Sequence, residues 1–309
     1  MRFNLQILLR CCALSVATGS PGVWGDPTPA EIPSPGPASP WTNSAVHAAF
    51  QLTPRLWSGA QPGNDEAFAA LARSGVKVVV SVDGASPDLE TARRHGLRYV
   101  HVPIGYDGVS STRLTQLVQA TRESTGIVFV HCHHGRHRGP AAAAIMAMAD
   151  GAWSPTQAAS FLTQAGTDPS YVGLYTAVQN FALPATPPAG DAPPLAESVP
   201  PSGEVEVMVT LDGHLDRLKV QVAQRDGRES SGDSRGLRTE ALLMLEALRE
   251  WGRHPGIASR TPGYRQQLAE TVDAAQRLWE ILGNPATDPG PALKALGTAC
   301  SACHRQHRH

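Results

Sequence analysis

The chain has 309 residues, with 26 Lys and Arg against 27 Asp and Glu, and a formal net charge of −1. Both signs are mixed along the sequence, which speaks against a polybasic nucleic-acid partner or an electrostatic membrane anchor. The length leaves room for two domains.

Residues 1–25 carry Arg2 and Arg10 around apolar runs at 5–9 and 11–16. They read as a secretory signal peptide, the run being too short to span a bilayer comfortably. An exported protein, periplasmic or otherwise extracytoplasmic, is therefore expected, with Cys11 and Cys12 leaving with the signal. No other segment is long or apolar enough for a stable membrane span. Residues 26–44 are rich in Pro, Ser and Ala and read as a disordered lead-in, with order beginning near Trp41 to Phe50.

From there strands and helices alternate. A short strand within residues 55–62 is followed by a helix over 66–74, with Asn64 and Asp65 as cap residues. Residues 76–82 read as a buried strand that stops at Asp83 and Gly84, with Asp83 taken as a turn residue. A helix over 87–95 closes at Gly96, and a strand over 97–102 follows. A helix opens at Ser110 or Ser111 and runs to about Glu123. The apolar run at 126–130 is the next buried strand. Residues 141–149, rich in Ala and Met, form a helix. Ser154 and Pro155 start another as N-cap and first helical residue, and the unit closes near 175–181. This pattern predicts an α/β domain over 45–183, its mostly parallel central sheet flanked by helices and its crevice at the strands' C-terminal ends. Residues 184–203 are a Pro- and Ala-rich linker. Apolar residues at helical spacing over 203–223, 239–251, 264–282 and 291–307 predict an all-α four-helix bundle in the domain 204–309.

The first chemical motif is His131-Cys132-His133-His134-Gly135-Arg136-His137-Arg138, lying between the 126–130 strand and the 141–149 helix. A thiol at a strand-to-helix turn faces the helix N-terminus, whose unpaired N–H groups favour an anion. Consecutive loop N–H groups can curl around phosphate oxygens, and Arg138 can add a bidentate fork. His133, His134 and His137 could instead ligate a metal with Cys132, although tight packing around a curled loop tends to point them apart.

Cys132 and Arg138 at this spacing, with His131 before and Gly135 between them, resemble the signature loop of the cysteine-based protein tyrosine and dual-specificity phosphatases. The resemblance covers residues 54–183. It implies phosphomonoester hydrolysis through a phosphocysteine, with Cys132 as nucleophile. Arg138 and the loop residues His133, His134, Gly135, Arg136 and His137 would hold the phosphate, and His131 would orient the loop. It also calls for a general acid on a loop upstream of the cysteine. Asp107, flanked by Gly105 and Gly108 after the 97–102 strand, fits that place; the alternative is an ordinary turn aspartate. Gly139 departs from the family, which carries Ser or Thr after the arginine to help the thiolate leave, so the second step is expected to be slow. The hydrolytic step itself requires no cofactor. The substrate would be a phosphorylated protein or a small phosphomonoester.

The second motif is Cys300-Ser301-Ala302-Cys303-His304, a c-type haem attachment motif. Its thiols would bind haem c covalently, with His304 as axial ligand. A redox dithiol or half of a zinc site are the other uses of such spacing, but no second CxxC completes a zinc site. Near the C-terminus and on the last of four helices, the motif resembles the cytochrome c-prime type over residues 204–309. That resemblance implies a sixth ligand from the first helix of the bundle: Met208, in line with Leu211, Leu215 and Leu218, with His214 competing and a plain core methionine as the bland alternative.

Taken together the sequence predicts an exported phosphatase fused to a haem domain, with a redox partner. The alternative is a catalytically weak phosphate-binding module joined to a haem electron-transfer or gas- and redox-sensing domain. A third reading is redox control, in which the haem domain senses an oxidant or a small gas and alters the reactivity of Cys132.

Overall fold

The structure, a computed structural model, describes residues 36–42, 45–185, 193–225 and 234–307. The expected signal peptide, Cys11 and Cys12 lie outside them. Among the described residues no helix is long and apolar enough to cross a membrane.

Six strands form one sheet: β1 (Ser39–Pro40), β2 (Phe50–Thr53), β3 (Leu56–Ala60), β4 (Val76–Ser81), β5 (Arg98–His101) and β6 (Ile127–Cys132), in the order β1-β2-β3-β6-β4-β5. β1, β2 and β3 pair antiparallel, whereas β3, β6, β4 and β5 pair parallel. Order begins earlier than the sequence predicts. Ser39 and Pro40 pair with Gln51 and Phe50, and Gln164 Nε2 donates to the Ala38 carbonyl at 2.8 Å. A proline is acceptable there because β1 is an edge strand.

Helices α1 (Asp65–Arg73), α2 (Leu89–Arg94), α3 (Ser111–Glu123), α4 (Arg138–Ala149), α5 (Pro155–Gln164) and α6 (Val172–Gln179) flank the sheet. Their starts follow the chemistry of the sequence. Asn64 accepts from the Ala67 N–H, Asp88 from Thr91 and Ser110 from Arg113. Ser154 and Gln157 form a capping box with Pro155 at the first turn.

Strand periodicity sorts the residues of β6 between two cores. Val128, Val130 and Cys132 join the apolar cluster containing α4, while Phe129 packs on the other face with Phe68, Leu71 and Tyr99. Cys132 therefore faces the start of α4, and His131 faces away from it. From Arg138 to Met148 every residue of α4 is buried, which its alanines permit by letting sheet and helices approach closely on all sides.

The C-terminal half consists of α7 (Glu204–Arg225), α8 (Ser234–Gly252), α9 (Pro262–Ile281) and α10 (Gly290–His307), with a short 3₁₀ turn at Pro255–Ile257. Leu211, Leu215 and Leu218 of α7, Leu242, Leu245 and Leu248 of α8, Leu268 and Leu278 of α9, and Leu296 of α10 form its buried stripes. The apolar cluster on the α4 side of the sheet continues into these helices, and Ser34–His309 forms one compact unit. The chain before α7 also binds the sheet. The His101 N–H donates to the Ala196 carbonyl at 2.8 Å and the Val199 N–H to His101 Nδ1 at 2.9 Å, so this segment covers the open edge of β5.

Candidate active site

The turn after β6 is shaped by its glycine. Gly135 has φ +69°, and a Cβ on it would lie 2.3 Å from the Ala60 backbone nitrogen. No other residue fits so close to the end of β3 in that conformation. Gln61 N–H donates to the His133 carbonyl at 3.3 Å, and Thr167 Oγ1 donates to the Arg136 carbonyl at 2.6 Å. These bonds use the loop's carbonyls on the outside. Among the described residues no protein acceptor takes the N–H of His134, Gly135, Arg136 or His137. The loop therefore presents unspent donors ahead of α4, as an anion nest does. His133 is different, because its N–H already donates to Asp83 Oδ2 at 3.0 Å.

Cys132 is a free thiol, 2% exposed. Behind it Gly139 packs against the same residue: a Cβ there would lie 3.0 Å from the Cys132 nitrogen and 3.5 Å from its Sγ. His131 meets the Tyr99 hydroxyl through Nε2 at 3.0 Å on the far face of the sheet. It supports the strand end and stands away from the reacting side.

Arg138 is 1% exposed. Its NH2 donates to Asp83 Oδ2 at 2.9 Å. Its NH1 donates to Glu250 Oε2 at 2.7 Å and to the Ile104 carbonyl at 3.3 Å. The Tyr106 ring lies under the guanidinium, 4.2 Å from ring centroid to Cζ. Burial alone would pull the pKa of Arg138 down, but Tyr106, Glu250 and Asp83 raise it by more, so the group stays cationic.

Asp83 is a correction to the sequence reading. It is no ordinary turn residue but the buried hub beneath the loop. Besides Arg138 and His133 it receives Arg253 NH1 at 2.8 Å and the Ala85 N–H at 3.0 Å. Burial would raise its pKa, yet the two guanidiniums and these hydrogen bonds hold it well below the usual carboxylate range. Its position at the end of a strand in the central sheet was the available signal, since parallel α/β sheets place their sites there.

Asp107 stands on the loop after β5, exposed, with its Oδ1 folded over Gly105 at 2.2 Å from where a Cβ of that glycine would be. Its backbone lies flush on Gly173 of α6, where a Cβ would come within 2.1 Å of its carbonyl carbon. Asp107 and Arg138 line one cavity of about 290 Å³ together with Tyr106, Glu250 and Trp251. Tyr106 stacks on Tyr171 at 5.3 Å, and His137 packs on Tyr171 at 4.3 Å. His133 and His134 lie edge to face at 4.4 Å. Among the described residues no three His, Cys, Asp or Glu side chains gather as a metal-ligand set, either in this loop or elsewhere.

At the far end of the helical half, Cys300 and Cys303 are free thiols one turn apart on α10, both packed against the apolar cluster. Burial pushes both thiols up, so they remain protonated. Two unpaired thiols one turn apart against an apolar cluster fit covalent attachment to a flat hydrophobic group, and among the described residues no further ligands gather with them into a metal site. His304 follows at the surface. Met208 is half-buried against the same cluster. His214 is held by Glu240 at 2.6 Å beside Arg217, which occupies its Nδ1. His307 packs on Tyr264 with its Nε2 buried and unpartnered.

No family model matches the chain, and no curated protein matches it. Solved structures do. TpbA of P. aeruginosa is 23% identical with a TM-score of 0.42, covering 48% of this chain and 92% of that one. A variant of the same protein in complex with pTyr gives 23% identity and a TM-score of 0.36, over 49% and 99% of the two chains. Human DUSP28 gives 22% identity and a TM-score of 0.34, over 46% and 97%. These neighbours are cysteine-based phosphatases of the tyrosine and dual-specificity type, and they match the N-terminal half.

The buried histidines set a pH signature. Burial holds His131 and His137 at pKa values of about 4, below the ordinary 6.5. Between those values the unfolded chain binds protons that the folded chain does not. Stability is therefore expected to fall as pH drops from 6.5 to 4 and to level off above 6.5, at about 1.4 kcal/mol per pH unit for each such proton. Denaturant unfolding across this range measures it, and His137→Gln should remove about one proton from the slope. A flat profile would contradict the buried neutral state of these rings.

Proposed function

We propose that the α/β half is a phosphomonoester phosphatase of the tyrosine and dual-specificity type, exported from the cell, and that the helical half carries haem c. The observation that carries the first part is the convergence of the Cys132 thiol, four unspent loop N–H groups and a buried Arg138 at one strand-to-helix turn. A mere anion site does not need a thiol at its centre.

In this reading the Cys132 thiolate attacks phosphorus in line with the leaving oxygen. The loop N–H groups and Arg138 hold the three equatorial oxygens, where charge persists through the transition state. The S–P bond forms as the P–O bond breaks, and Asp107 gives its proton to the departing oxygen. In the second step Asp107 takes a proton from water, whose oxygen attacks the phosphocysteine. Inorganic phosphate leaves and the thiolate is restored. The substrate is a phosphorylated protein or a small phosphomonoester.

Gly139 supports a slow second step, because the residue after Arg138, packed against the thiol, carries no hydroxyl to stabilise it as it departs. With an aryl phosphate under reducing conditions, the protein is expected to release a burst of product equal to the enzyme present, then turn over weakly. Cys132→Ser should abolish both phases. Gly139→Ser brings an oxygen beside Sγ and should raise the steady rate several-fold with the burst unchanged, at some cost in stability from the tight contact with the Cys132 nitrogen. A linear time course at low turnover would contradict the slow second step. Phosphate binding without any burst would favour the weaker alternative, a binding module.

For the helical half, Cys300 and Cys303 would hold the haem, and His304 and Met208 would be the candidate ligands to its iron. Bound there, the group supplies one-electron chemistry toward a redox partner. Protein matured with a haem-attachment system should keep its haem through acidic organic extraction, and Cys300→Ala with Cys303→Ala should lose it. Haem extracted freely from the wild type would contradict covalent attachment.

A further inference from the structure

Helix α8 belongs to the helical half yet lies against the cysteine loop. Thr239, Glu246 and Glu250 lie seven and four residues apart and so share one face, which Arg253 continues three residues on. Each reaches across. Thr239 Oγ1 donates to the Ser170 carbonyl at 3.1 Å, Glu246 Oε1 accepts from the Tyr171 hydroxyl at 3.1 Å, and Arg253 binds Asp83. Glu250 reaches deepest, to Arg138 itself, with its side chain 30% exposed.

A donor count shows what Glu250 does there. A guanidinium has five N–H groups. Both hydrogens of NH1 are spent, one on Glu250 and one on the Ile104 carbonyl. One hydrogen of NH2 is spent on Asp83. Nε is buried and has no partner. The donors left over are Nε–H and one NH2–H, and with Asp83 on the NH2 hydrogen that faces NH1 these two form one edge of the guanidinium. That edge is the fork that grips two oxygens of a phosphate. The carboxylates of Glu250 and Asp83 thus engage NH1 and NH2 and leave the Nε–H without a protein partner.

A Cβ on Gly84 would lie 1.6 Å from Glu250 Oε1. A glycine beside Asp83 leaves the carboxylate room in its present place, and the φ of Gly84 lies outside the left-handed region, so the backbone itself does not require one.

We propose that Glu250 is a positioning residue for Arg138, so that the phosphate fork of the α/β half is completed by a carboxylate from the helical half. This rests on the reading of the cysteine loop as a phosphate site. It ties the affinity of that loop for phosphate to the one carboxylate that α8 supplies.

The test measures inorganic phosphate binding by calorimetry to the full chain in the Cys132→Ser background, and KM and kcat for an aryl phosphate with Cys132 intact. Glu250→Ala is expected to weaken phosphate binding at least about tenfold, since it leaves a buried donor unpaired and frees the guanidinium to turn. KM should rise by a similar factor. Glu250→Asp should recover part of the loss. Gly84→Ala, which forces the carboxylate out without altering it, should reproduce the defect and add little to Glu250→Ala. Thr239→Ala, which loosens α8 at its far end, should leave phosphate binding unchanged.

Tighter phosphate binding in Glu250→Ala would overturn the proposal, because the carboxylate would then be competing with the ligand. Equal weakening by Thr239→Ala would also overturn it, reducing the effect to general docking. If the chain binds phosphate and Glu250→Ala weakens it, but no variant turns over, the positioning role stands and hydrolysis falls. If the wild-type loop binds no phosphate, both fall.

Discussion

The buried guanidinium of Arg138 is the constraint around which the site is arranged. A cation 1% exposed is tolerable only if its charge is met and its donors are placed. Asp83 meets it from the end of β4, Glu250 from α8, the Ile104 carbonyl from the segment after β5, and the Tyr106 ring from below. Three separate stretches of chain thus converge on one side chain. Removing a single carboxylate would leave charge and donors buried without partners, so the cluster is held as a unit. The loop inherits this order, because Asp83 also takes the His133 N–H and so fixes where the nest begins.

The same cluster explains why the two halves pack as one compact unit. The apolar cluster on the α4 side of the sheet runs through into α7–α10. Across that junction, Glu246 on Tyr171 and Arg253 on Asp83 supply direction that apolar contact alone does not. Tyr171 then passes order inward by stacking on Tyr106 and His137, both beside Arg138. Helix α8 is therefore connected to the Arg138 guanidinium and its neighbours through two routes, one ionic and one aromatic.

Local features were legible in the sequence and distant pairings were not. The strand, loop and helix around Cys132 follow from short-range signals: a β-branched run, a histidine- and arginine-rich turn with one glycine, then alanines. The caps at Asn64 and Ser154 and the buried leucines of the helical half follow equally from neighbouring residues. Asp83 was misjudged because its partner lies 55 residues further on, and nothing in Val82-Asp83-Gly84 announces a guanidinium overhead. Glu250 was invisible for the same reason at a separation of 112. On a helix surface a glutamate ordinarily means solvent, and only the packing of α8 shows otherwise. β1 escaped notice because two residues, one of them proline, carry no strand periodicity.

The central claim is that Cys132 takes the phosphoryl group. Mixing the protein with an aryl phosphate, quenching in acid within the burst and mapping the peptides by mass spectrometry tests this directly. The account predicts one phosphoryl group on the peptide containing Cys132, bound to sulfur, and none in Cys132→Ser. A phosphoryl group on a loop histidine, or unlabelled protein despite released product, would contradict it.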